Sequence, residues 1–176
     1  MQLRHDLHVL DAVCALGRPD PRALRNYPLS AWATPAMSAR FIDGVIPDAL
    51  LALQLATGSA VLTLEVDEGT EHAPVIRAKL ARYAEALDGA DDWHLLFVVG
   101  EAERARWLRR LAGRDRAQAA IGSRAWATTI DGLGRDGPGA QCLSLGPTRR
   151  RACWPSAAPT SSDVAGTRSA ARRGCV

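Results

Sequence analysis

A chain of 176 residues with 22 basic and 19 acidic side chains, 47% of it hydrophobic, has the make-up of one ordinary globular domain. Its net charge of +3 is too small for a nucleic-acid coat that works by bulk charge. A secretory signal is not expected, because Arg4, His5, Asp6 and Asp11 interrupt the N-terminal run; nor is a membrane span, because Gln54, Thr57, Gly58 and Ser59 break the apolar stretch from Ala49 to Leu64.

The four cysteines, Cys14, Cys142, Cys153 and Cys175, form no Cys-x-x-Cys pair. Neither a disulfide framework nor a zinc site is signalled, and a reduced, cytoplasmic protein is expected. Residues 1–145 are close to neutral, whereas Arg149, Arg150, Arg151, Arg168, Arg172 and Arg173 make the end basic. Every basic residue is arginine except Lys79, a pattern of GC-rich coding DNA.

In chain order, His5–Leu16 has helical apolar spacing and stops at Gly17, Pro19 and Pro21. A short strand is expected over Leu29–Thr34. The apolar run after Ile46-Pro47-Asp48 turns at Thr57-Gly58-Ser59 into a second, β-branched run over Val61–Val66, and the two read as a hairpin. Thr70 is the expected N-cap of a helix carrying Ile76, Leu80, Tyr83 and Leu87 and closing at Gly89. Trp93–Val99 reads as a strand buried on both faces, Glu101–Leu111 as an amphipathic helix, and Arg124–Ile130 as a last strand before the glycine-rich Gly132–Gly139. Helix, three strands, helix, strand, helix, strand predicts an α/β fold with a mixed central sheet flanked by helices. Residues 1–135 are expected to form this domain and residues 136–176 a disordered basic tail, being either a genuine arm or an out-of-frame translation.

The period of two along Val61–Asp67 sets Glu65 and Asp67 on one face, with Leu62, Leu64 and Val66 on the other. If the hairpin pairs as read, Asp48 lies near both acids. Clustered carboxylates repel unless protonated or bridged by a cation, which makes Asp48, Glu65 and Asp67 a candidate metal set for Mg²⁺. Lys79 lies about 13 Å along the following helix from Thr70, within reach of the acids, where it could stabilise developing negative charge. A second candidate is the arginine-rich stretch Arg104, Arg106, Arg109, Arg110, Arg114 and Arg116, which reads either as a phosphate-binding face or as a solvated flank paired with Glu101 and Glu103.

The strings Ile-Pro-Asp48-Ala, Leu-Glu65-Val-Asp67-Glu-Gly-Thr70-Glu71, Lys79-Leu-Ala-Arg-Tyr83, Leu-Phe-Val-Val and Trp126-Ala-Thr-Thr together resemble the replication-relaxation family of plasmid and mobile-element proteins, over roughly residues 5–135. The element order resembles the restriction-endonuclease-like fold, an αβββαβ core whose site is written Pro-Asp…(Asp/Glu)-x-Lys. The resemblance implies a DNA-associated protein of plasmid replication or mobilisation, with DNA and replication proteins as partners. It carries Asp48 and Glu65 onto the two acidic catalytic positions. Asp67 stands where the motif has lysine, and Lys79 is the candidate to supply that charge. Two readings follow: a Mg²⁺-dependent phosphodiesterase using Asp48, Glu65 and Lys79, or a catalytically silent nuclease-fold module. Family members commonly carry a winged-helix module before this domain, so the chain is expected to be the C-terminal domain of a longer protein.

Overall fold

The computed structural model describes residues 2–19, 29–55, 58–113, 121, 124–146 and 151–152. The first helix, α1 (Gln2–Leu16), is followed by β1 (Leu29–Ala33), the one-turn α2 (Pro35–Ser38), β2 (Ala49–Leu55) and β3 (Gly58–Asp67). Then come α3 (Ala73–Ala86), β4 (Trp93–Val99), α4 (Ala102–Ala112), β5 (Ala125–Thr129), α5 (Ile130–Asp136), a 3-10 turn at Gly137–Gly139, β6 (Gln141–Ser144) and the two-residue β7 (Arg151–Ala152).

The strands lie side by side in sequence order, β1 to β7. Pairing is antiparallel from β1 to β3, parallel from β3 through β4 to β5, and antiparallel again beyond. The two parallel steps are where helices α3 and α4 intervene, since parallel neighbours need a crossover and antiparallel ones need only a turn. The sheet is mixed α/β, as the element order predicts.

Side-chain alternation divides the core between the two faces. Val9, Val13 and Leu16 of α1 pack with Leu51, Leu62, Leu64, Leu96 and Val98, and Leu133 of α5 joins them. On the other face Ile76, Leu80 and Tyr83 of α3 and Leu108 of α4 pack with Leu95, Phe97 and Val99. The central strand β4 is therefore covered on both sides, as its unbroken apolar run indicates.

Three differences from the sequence reading have physical causes. The N-cap position of helix α3 is His72, whose side chain makes no capping bond, rather than Thr70. Asp67 Oδ1 accepts from Gly69 N at 2.8 Å and Gly69 adopts φ 81°, so this Asx-type turn consumes Thr70 before the helix begins. The expected boundary at residue 135 is passed: β6 pairs with β5, and Cys142, Ser144 and Leu145 are buried. Residues 147–150 and 153–176 of the expected tail lie outside the described residues. Contrary to the cysteine spacing, Cys142 is disulfide-bonded. Among the described residues no helix is long and apolar enough to cross a membrane.

Candidate functional site

The β2–β3 ladder ends with Ala49 paired with Leu64, and Asp48 stands just before it. Asp48 N donates at 3.0 Å to the carbonyl oxygen of Leu64, the residue already paired with Ala49, so the regular register breaks at Asp48. Glu65 and Asp67 lie on the side that α3 and α4 cover, as the period-two reading has them, whereas Asp48 reaches His5 of α1, the helix on the other face. What the sequence does not reveal is their depth: Glu65 is 4% exposed and Asp67 5%.

At that depth each carboxylate needs a partner. Glu65 Oε2 receives Lys79 Nζ at 2.8 Å, and Glu65 Oε1 accepts from the Tyr83 hydroxyl. Lys79 and Tyr83 are four residues apart on α3, one helical turn, so both reach the same acid. Lys79 Nζ also lies 3.0 Å from Glu71 Oε2. Asp67 is gripped by Arg104 of α4, with Nε 2.7 Å from Oδ2 and Nη2 3.1 Å from Oδ1. The same Nη2 donates to Glu71 O at 2.7 Å, and the guanidinium lies 4.0 Å from the centre of the Trp107 ring. Asp48 Oδ2 accepts from Val66 N at 2.7 Å while Oδ1 faces His5 Nε2 of α1 at 3.1 Å. His8, one turn further along α1, contacts Glu68 at 3.3 Å.

The titration behaviour follows from burial. Desolvation pushes the Glu65 carboxyl above its ordinary value; Lys79 pulls it down, and the Asp48 charge adds to the rise. Burial draws the Lys79 ammonium down, yet Glu65 and Glu71 outweigh it and hold Lys79 above the ordinary lysine value. Burial and then the Glu65 charge drive the Tyr83 hydroxyl far up, so it stays a donor.

Tyr83, one of the stripe of its helix, and Lys79, the expected reaching cation, both sit on Glu65. Arg104 belongs to Asp67 rather than to a phosphate-binding face. Arg106 and Arg110 pair with Glu103 at 2.8 and 2.9 Å, the solvated-flank arrangement; Arg114 and Arg116 lie outside the described residues. His5 and His8 meet acids far from them in sequence, a pairing that no local pattern signals. Among the described residues no three His, Cys, Asp or Glu side chains are grouped to hold a metal ion.

A family model described as replication-relaxation matches residues 1–95, which contain Asp48, Glu65, Asp67, Lys79 and Tyr83. The chain belongs to the replication-relaxation family. No curated protein and no solved structure matches it. The match ends within β4, so α4 with Arg104 and the β5–β6 half of the sheet lie beyond the matched span.

Proposed function

We propose that this replication-relaxation protein contains a catalytically silent module of restriction-endonuclease-like fold, which binds DNA in plasmid replication or mobilisation. The carrying observation is that all six carboxylate oxygens of Asp48, Glu65 and Asp67 already have protein partners. Mg²⁺ is bound by oxygens that turn toward it, usually with several waters retained. Here Lys79 and Arg104 offset the charges of Glu65 and Asp67 from within, and Tyr83, Val66 N, Gly69 N and His5 contact the other oxygens. The carboxylates as they stand are turned to the protein's own donors and not toward a shared ion position. The fold assignment rests on the helix, three-strand meander, helix and parallel strand from α1 to β4; the DNA partner rests on the family.

The phosphodiesterase reading has one observation in its favour. Asp48 stands just before β2, near enough for its charge to act on Glu65, and Lys79 lies 2.8 Å from that acid. The readings separate on supercoiled plasmid incubated with Mg²⁺ or Mn²⁺. A silent module retards plasmid DNA in a gel, leaves it un-nicked, and shows the same melting temperature with and without metal. Metal-dependent nicking that disappears in Glu65→Gln and Asp48→Asn would establish the enzyme instead. Absence of any DNA retardation would remove the DNA-binding role.

A further inference from the structure

Helix α1 has two apolar faces. Val9, Ala12, Val13 and Leu16 pack onto the sheet. A second stripe points outward: Leu3 is 73% exposed, Leu7 52% and Leu10 46%, and Cys14 is an exposed free thiol. The outer face of a surface helix is ordinarily polar. Positions 3, 7, 10 and 14 advance by four, three and four residues, the a/d spacing of a coiled-coil seam.

We infer that this stripe is the seam of a homodimer in which α1 packs antiparallel on α1 of a second copy. In that register Leu7 meets Leu10 of the partner subunit, and Leu3 meets Cys14 of the partner subunit. The flanking charges select this pairing. Arg4 and Asp11 each follow a seam residue, Leu3 and Leu10, and so lie on one flank seven residues apart. An antiparallel two-fold sets Arg4 beside Asp11 of the partner subunit, and does so twice. A parallel pair would instead set Asp6 against Asp11 of the partner subunit, two like charges. Cys14 borders a cleft of about 610 Å³ that it lines with Ala15 and Ile130 beside the charged Asp11, Arg18, Asp131 and Arg135, and the partner's Leu3 would lie at its apolar side. An isolated helix of 15 residues is marginal in water, but α1 is already ordered by the sheet beneath it, so association does not have to order it. The inference is independent of any role of the acidic cluster.

Sedimentation of the full chain across the micromolar range tests it. The wild type should show a monomer–dimer equilibrium, and Leu7→Glu should weaken it by at least about tenfold. Leu7 is exposed, so the melting curve of the monomer should be unchanged. Arg4→Asp should weaken the dimer, and adding Asp11→Arg should restore it. Mild oxidation of Leu3→Cys should give a covalent dimer, with peptide mapping joining the new thiol to Cys14. A wild type that stays monomeric, a dimer indifferent to Leu7→Glu, or a cross-link between the two Cys14 residues would overturn the inference.

Discussion

Glu65 carries two opposed effects: burial disfavours its charge, and Lys79 favours it. Burial wins, so the folded chain binds this proton more tightly than the unfolded chain does. The resulting contribution to stability is full below the ordinary carboxylate pKa and is lost as pH rises through the raised folded value. Glu65→Gln abolishes that dependence. The difference in denaturant midpoint, wild type minus variant, should therefore shrink from the carboxylate range toward neutrality. A flat difference would show that Lys79 offsets burial fully. Lys79 works at the other end of the scale, because its folded value is raised. Its contribution is full below the ordinary lysine pKa, hence throughout neutral pH, and is lost only as alkali passes the folded value. Lys79→Met strands Glu65 without its cation and should cost about 2–3 kcal/mol at pH 7 in urea unfolding, less than a fully stranded buried charge because Glu65 can take up a proton.

Helix α4 is held at its start by one side chain. Arg104 spans Asp67 and the Glu71 carbonyl, and so joins α4 to the end of β3 and to the approach to α3. Arg104→Ala leaves Asp67 buried without its cation, holding only the Gly69 N–H, and should lower unfolding free energy by about 2–4 kcal/mol, read from denaturant melts with the far-ultraviolet circular dichroism unchanged beforehand. Helix α5 depends on a small residue. Thr129 Oγ1 caps it by accepting from Gly132 N at 3.0 Å, and a Cβ at Gly132 would sit 2.8 Å from that oxygen. Gly132→Ala displaces the cap and should cost about 1–2 kcal/mol in the same measurement. The glycines of this segment mask the helix in the sequence, because Gly ranks next to proline as a helix former. Thr129, Leu133 and the packing of α5 against α1 decide the matter.

Across the whole molecule, stability should be graded from the middle of the sheet outward. Leu95, Phe97 and Val99 meet α3 and α4 while Leu96 and Val98 meet α1 and α5, and all five are at most 2% exposed. Strand β1 pairs on one side only and shows Trp32 to solvent at 44% exposure. Amide hydrogen exchange should find β4 the slowest segment and β1 among the fastest, since opening an edge strand exposes far less apolar surface. Comparable protection in the two strands would mean that β1 is covered by another surface.

What the residues alone determined follows from local periodicity. The apolar run Trp93–Val99 marks a doubly covered strand, the Thr57–Ser59 turn marks a hairpin, and the period of two sets Glu65 and Asp67 on one side. These choices need only the chain's own repeat, and they set Glu65 and Asp67 on one face. Periodicity gives the face but not what covers it. Whether the acids meet solvent, a metal or the protein's own cations depends on where α3 and α4 lie across the sheet. Only the tertiary structure sets Lys79 and Tyr83 on Glu65 and, 37 residues away in sequence, Arg104 on Asp67. Strand β6 likewise becomes a strand by pairing with β5. Its residues Gln141-Cys-Leu-Ser144 are too few and too mixed to declare it, because strand propensity is mostly the fit of a side chain to neighbours the sequence does not name.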